Sequence, residues 1–152
     1  MSSEHLFEAS EHKKQVTKYL QTVGKELAQR AIEHDDSKFS PEEFDAFQTL
    51  PSRMRNLIYG SDEYKQALEQ IGEALAHHYR ENRDHPEHFS NGINDMTLID
   101  LLEMICDWIA IAEQSEGGDI YRSLEINKNR FKIDTQLFAI LKNTVDHLLS
   151  PQ

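Results

Sequence analysis

Apolar residues recur along most of the chain at the spacing of an α-helix, three or four positions apart. The first stripe steps by four, three, four and four, and it consists of Val16, Leu20, Val23, Leu27 and Ala31. Such steps place side chains on one face of a helix, whereas a strand would alternate at every second residue. We therefore predict a first helix from about Ser10, or from as early as Ser3, to about Asp36.

Five further helices are predicted by capping residues that precede apolar stripes. Ser, Thr and Asp at a helix start accept hydrogen bonds from the first backbone N–H groups, and proline is favoured at the first helical position. These signals predict helices over about 40–50, 61–81, 97–112, 119–131 and 134–149, with a connector at 51–60, a polar loop at 82–95 and a turn at 115–118. The helix over 97–112 is apolar nearly all round, which favours a central position. The pattern predicts an all-α, single-domain bundle of five to six helices over residues 1–152.

Composition and charge limit the kinds of molecule that the protein is expected to bind. Of 152 residues 38% are hydrophobic, and 16 basic against 27 acidic residues give a net charge of −11. That charge argues against duplex nucleic acid as a partner, so a site for anions must be local or bridged by metal. No apolar run reaches the roughly 20 residues of a membrane span, and the N-terminus lacks a signal-peptide pattern. The one cysteine, Cys106, excludes internal disulfides and thiolate zinc clusters. We expect a cytoplasmic protein without a membrane partner.

Three of four clusters of candidate chemistry contain histidines, of which the chain has eight. His34 continues the first apolar stripe and is followed directly by Asp35. His78 continues the stripe of the helix over 61–81, whereas His77 lies about 100° away on that helix. The segment 84–88 holds two histidines and two acids around a proline. Each has an ordinary alternative, respectively a favourable histidine at a helix end, a satisfied core histidine and a solvated loop.

The fourth cluster is a row of carboxylates on the central helix. Asp100, Glu103 and Asp107 are spaced i, i+3, i+7, which puts them on one face. Such a row is costly on an apolar helix unless it is paired, metal-bound or a narrow stripe facing solvent. Asp100 lies near the helix start, where the macrodipole and solvent favour a carboxylate. Nitrogen and carboxylate donors without sulphur suit Mn, Fe, Zn or a related divalent ion.

The motifs carry a resemblance to known proteins. The order H…HD…H…H…D is similar to that of the HD-domain superfamily of all-α, metal-dependent phosphohydrolases. The chain further resembles a small family of uncharacterised phage and bacterial proteins that share HDxSKF, HHYxxNxHHPEHF and ExxxDW. The matching segments here are 34–39, 77–89 and 103–108, and the likeness extends from about His12 to Phe131. Asp84 stands where that family has the first His of HHPEH.

The resemblance implies a set of metal ligands and phosphate contacts. It implies a first ion bound by His12, His34, Asp35 and Asp107. It implies a second ion that shares Asp35 and uses His78 with His85 or His88. Asp35 and Lys38 would serve catalysis, with Lys38 neutralising a phosphate oxygen. Further phosphate contacts would come from Arg80, Arg83 and Arg130. The cofactor implied is one or two divalent ions, with Mn, Fe, Ni, Zn and Mg as alternatives.

The geometry of the first helix bears on His12. His12 precedes His34 by 22 residues, which is about 33 Å along one straight helix. Only a sharp break near residues 22–24 would let both bind one ion. If the helix is continuous, His77 or Glu103 is the replacement candidate.

The function that the resemblance implies is hydrolysis of a small phosphate ester of nucleotide type by metal-activated water. Two alternatives stay open. One is a di-iron oxygenase of HD type, because histidine-rich sites also suit iron. The other is a non-catalytic binding module of the kind that phages produce. A homodimer stays open as the assembly.

Overall fold

The computed structural model describes residues 3–54, 57–115 and 117–150, which form helices joined by turns and short loops. Within these ranges it has seven α-helices and no β-strand, which confirms the predicted all-α class. The helices are α1 Ser3–Glu33, α2 Phe44–Met54, α3 Asp62–Glu69, α4 Gly72–Glu81, α5 Leu98–Gln114, α6 Ile120–Arg130 and α7 Thr135–Leu149. No helix of the described residues is long and apolar enough to cross a membrane.

The chain divides into two compact units, residues 1–34 and residues 35–152. The first unit is α1, a continuous helix of 31 residues. The second contains the other six helices of the described residues and three short 3₁₀ turns, at Asp36–Phe39, Pro86–His88 and Gly92–Asp95. The predicted single domain over 1–152 stays a prediction.

The core of the second unit is built around α5, as the apolar run predicts. Met104 and Ile105 on α5 are fully buried, and they pack with Leu124 of α6 and Val145 of α7. A smaller apolar cluster joins α2 to the α3–α4 region through Leu50, Ile71 and Ala74. The helix that carries the Asp100–Asp107 carboxylates is therefore the best-buried element of this unit.

Capping explains where several helices begin. Thr97 and Asp100 form a reciprocal capping box at the start of α5, and the side chains of Ser61, Asp119 and Asp134 accept backbone N–H groups at the starts of α3, α6 and α7. Each cap satisfies N–H donors that have no partner inside the helix.

Three boundaries differ from the sequence prediction. The helix expected over 61–81 is two helices, because the backbone leaves helical geometry at Ile71 (φ −110°, ψ 24°), just before Gly72. Glycine favours such an interruption because it has the largest conformational freedom to lose in a helix. Residues 41–43 form a turn, so α2 begins only at Phe44. The connector expected from Pro51 is helical as far as Met54, and residues 55 and 56 lie outside the described residues.

Candidate metal centre

Asp35 opens the second unit in a left-handed backbone conformation. Its φ of 63° and ψ of 11° lead into the 3₁₀ turn Asp36–Phe39. Aspartate tolerates this conformation better than most residues because its short polar side chain can hydrogen-bond locally. Its Oδ2 accepts a hydrogen bond from Lys38 Nζ at 2.5 Å, while Oδ1 lies 3.4 Å from His78 Nε2.

Two histidine rings meet in front of this carboxylate. His78 lies in the last turn of α4 and is 3% exposed, as the stripe through Leu75 predicts. His85 lies in the loop after α4, directly before Pro86. The Nε2 atoms of the two rings are 3.0 Å apart, and the ring planes are inclined at 61°.

Asp35, His78 and His85 form a group whose donor atoms suit a divalent ion. One donor atom of each residue lies within 4.8 Å of the other two. Nitrogen donors at about 2.0–2.1 Å from one tetrahedral ion are themselves about 3.3 Å apart. The distances from His78 Nε2 of 3.0 Å to His85 and 3.4 Å to Asp35 are close to that spacing. Two imidazoles and a carboxylate favour Mn, Fe, Ni or Zn over Ca, which takes oxygen ligands.

Glu43 contacts the Nδ1 atoms of both His77 and His78, and the sequence pattern did not point to it. Its side chain is fully buried in the turn before α2. His77 Nδ1 lies 2.7 Å from Glu43 Oε1, and His78 Nδ1 lies 3.0 Å from Glu43 Oε2. A carboxylate at Nδ1 fixes the proton there and leaves the Nε2 lone pair for a metal. In the sequence, Glu43 resembles an ordinary acid in a first helical turn.

Burial favours the neutral rings that metal binding requires. Burial lowers the pKa of His85 to about 4, the nearby His78 adds to this, and Asp107 and Asp35 oppose it. Burial likewise lowers the pKa of His78, against the opposing charge of Asp35. Burial would raise the pKa of Glu43, but hydrogen bonds from His77 and Ser37 bring it below its usual value. A charged carboxylate therefore lies behind His78, and a neutral ring lies in front of it.

Two further carboxylates lie beside this group. Asp84 is 1% exposed, and its Oδ2 is 3.6 Å from His85 Nε2. A carboxylate oxygen of Glu103 lies within 4.8 Å of an oxygen of Asp84. The sequence signal for Asp84 is its place in the HHPEH motif. At this position the chain therefore has a carboxylate next to His85, where the resembled family has a histidine ring.

One cavity connects the group with several predicted site residues. Its lining includes His78 and His85 together with Lys38, Asp107 and Arg130. The charge of Asp107 also opposes the lowering of the His85 pKa. Arg130 donates to Glu87 Oε1 at 2.5 Å and to the Tyr79 hydroxyl at 3.4 Å. The structure thus brings three predicted ligands and two predicted phosphate contacts to one cavity of the second unit, and Asp35 adjoins two of these ligands.

Three predicted histidine ligands lie elsewhere or stay untested. Because α1 is continuous, His12 lies about 33 Å from His34, so the two cannot share an ion. His34 is the last residue of the first unit, and its role as a ligand stays a prediction. His88 is outside the Asp35 group, and its Nδ1 lies 3.2 Å from the carbonyl oxygen of Tyr79.

Arg83 and Asp100 bind each other instead of facing the cavity. Asp100 was expected to face solvent but is fully buried. The Arg83 guanidinium donates two hydrogen bonds of 3.1 Å to its two oxygens, and Thr97 donates to Oδ2 as well. Arg80 is exposed and lies 3.4 Å from Glu81. Neither Arg80 nor Arg83 lines the cavity, so neither of these predicted phosphate contacts belongs to the proposed site.

Comparison with known proteins places the chain in a family. The model of a family of unknown function, DUF5662, matches residues 1–147. The chain belongs to this family. No curated protein and no solved structure matches the chain at a significant level. The match carries no activity with it, so a function for this family member must be argued from the His/Asp group.

Proposed function

We propose that this DUF5662 member is a metal-dependent hydrolase of a small phosphate ester, of nucleotide type. The carrying observation is the convergence of His78 Nε2 and His85 Nε2, which line a cavity, with the Asp35 carboxylate beside them. The resemblance of its motifs to the HD-domain phosphohydrolases supports the same reaction class. It is a likeness of motifs, and the activity is our inference.

The candidate metal ligands and the two cations that line the cavity have distinct parts in this proposal. Asp35, His78 and His85 would hold the ion, with Asp107 as a further ligand from α5. When bound, a divalent ion supplies a Lewis acid that activates water and stabilises charge on the phosphoryl oxygens. Lys38 and Arg130 line the same cavity and would position the phosphate by charge-assisted hydrogen bonds.

The test is a comparison of wild-type protein with Asp35→Asn. Asparagine tolerates the left-handed backbone of position 35, so this variant removes the charge without straining the turn. We expect wild type purified without chelators to contain Mn, Fe, Ni or Zn and to release phosphate from p-nitrophenyl phosphate or a nucleotide. Asp35→Asn should lose both properties and keep its helical circular dichroism. Wild-type metal content in Asp35→Asn would contradict the assignment.

The same preparation separates the alternative functions. Two irons per chain with an oxygen-dependent optical change would favour an oxygenase. Ligand binding that survives chelation, with no phosphate released from any ester, would favour a binding module.

A further inference from the structure

The cavity beside the Asp35–His78–His85 group is large, and aromatic rings form a substantial part of its wall. Its volume is about 520 Å³, within the range of small-molecule sites. The rings pack against each other: Tyr59 meets Tyr64 edge to face with centroids 5.1 Å apart, and Trp108 stacks on Phe131 at 6.1 Å. The six aromatic residues of the lining are Phe47, Tyr59, Tyr64, Tyr79, Trp108 and Phe131. Leucine and isoleucine side chains fill much of the remaining wall.

Positive charge in this lining is limited and already matched by acids. The cations that line the cavity are Lys38 and Arg130, and each lies 2.5 Å from a carboxylate, of Asp35 and Glu87 respectively. Asp107 adds another acid to the wall. Two cations and a divalent ion can balance one phosphate group, whereas a chain of phosphates would bring more negative charge than this wall can match.

Several hydrogen-bonding groups of the wall are engaged within the protein. The Tyr59 hydroxyl donates to Asn127 Oδ1 at 3.0 Å, and the Tyr79 hydroxyl accepts from Arg130. A polyol without an aromatic ring would bury little apolar surface against this wall. A flat ring would instead bury its faces and edges against the aromatic wall.

We infer that the substrate is a monophosphate ester whose organic group is a flat aromatic body, such as a nucleobase-bearing or aryl group. This inference rests on the proposed function and deepens it. The phosphate would lie at the Asp35–His78–His85 group between Lys38 and Arg130, and the ring would lie in the aromatic cavity. Nucleoside triphosphates, and sugar phosphates that carry no aromatic ring, would be poor substrates.

The test uses two phosphonates that cannot be hydrolysed and differ only in the organic group. Calorimetric titration of the Mn²⁺-loaded protein with phenylphosphonate and with methylphosphonate isolates the contribution of the ring. We expect phenylphosphonate to bind at least about tenfold more tightly, since burial of one aromatic ring exceeds that threshold. Tyr79 is the residue to replace, because it lines the cavity and its ring centroid is 5.0 Å from that of His85. Tyr79→Leu should reduce the preference for phenylphosphonate at least about threefold.

Tyr121→Leu is the matched control, because Tyr121 is exposed and does not line the cavity. It should bind both phosphonates as wild type does. Equal affinities of wild type for the two phosphonates would overturn the inference, as would an unchanged preference in Tyr79→Leu. Wild type that takes up no Mn²⁺ would overturn the proposed function instead. The phosphonates would then be compared in the metal-free protein, where the inference still requires preference for the ring.

Discussion

At the scale of single residues, Glu43 determines which nitrogen of His78 faces Asp35. Its buried carboxylate accepts from the Nδ1 atoms of His77 and His78 at the same time. Replacement by glutamine keeps the shape but offers one oxygen and one NH₂ group, so one ring must present a lone pair at Nδ1. Glu43→Gln should therefore weaken Mn²⁺ binding about 10- to 100-fold, the usual effect of removing a group that orients a ligand. Calorimetric titration measures this loss.

A separate measurement shows whether Glu43→Gln acts through the His78 tautomer. Nitrogen-15 NMR of the metal-free protein should find the His78 proton on Nδ1 in wild type and partly on Nε2 in the variant. His77→Gln is the control, because it leaves the contact between Glu43 and His78 in place. An unchanged tautomer together with full Mn²⁺ affinity would refute a positioning role for Glu43.

The two adjacent histidines should differ in their importance for metal binding. His78 Nε2 faces His85 and Asp35, whereas the resolved contact of His77 is with Glu43. His78→Ala should lose most bound metal, and His77→Ala should retain most of it. Elemental analysis of the two variants side by side measures the difference. Equal losses would show that both rings serve the ion.

The sequence could predict His78 but not Glu43. Helical phase depends on local spacing, so the stripe ending at Leu75 predicts that the next inward position is His78. The contact between Glu43 and His78 spans 35 residues and depends on how α2 packs against α4. Spacing along the chain carries no information on such a contact.

At the scale of elements, the two ends of the α5 carboxylate row have different tasks. Asp100 caps the helix and binds Arg83, while Asp107 lines the cavity. Asp100→Asn should lower the free energy of unfolding by about 2–3 kcal/mol, since it weakens a charged pair with a fully buried acid whose partner is half exposed. Its Mn²⁺ affinity should stay close to wild type. Asp107→Asn should weaken Mn²⁺ binding with a smaller effect on unfolding.

Urea unfolding and calorimetric Mn²⁺ titration measure the two effects. Asp119→Asn is the control for the loss of a carboxylate at a helix start, because Asp119 is exposed and asparagine is an equally good N-cap. It should change stability by a few tenths of a kcal/mol. If Asp100→Asn loses the metal and Asp107→Asn retains it, the ligand is Asp100, at the other end of α5.

The elements were predicted best where the signal is local. The caps at Ser61, Thr97, Asp119 and Asp134 all lie where the sequence indicates, because the capping side chain binds backbone within three residues. The interruption at Ile71 was missed because the apolar stripe runs through it unchanged. Periodicity reports which side chains face inward, and it is insensitive to one irregular peptide between two helices.

At the scale of the whole molecule, the ion should stabilise the fold. Ligands from the turn after α1, the end of α4 and the loop that follows meet only in the folded state. An ion at 100 times its dissociation constant would add about 2.7 kcal/mol to the free energy of unfolding. We expect Mn²⁺ to raise the Tm by about 5–10 °C. Asp35→Asn in the same scan should show no rise, and a full rise in that variant would point to another site.

Trp108 gives the molecule an optical property of its own. It is the one tryptophan of the chain, it lines the cavity, and its ring lies nearly parallel to that of Phe131, at an interplanar angle of 10°. Ultraviolet emission excited at the red edge of the protein's absorbance therefore originates from a single ring. A ligand that displaces solvent from this wall will shift the wavelength or intensity of that emission. Occupancy of the cavity can thus be followed in unlabelled protein, in real time, without a chromogenic substrate.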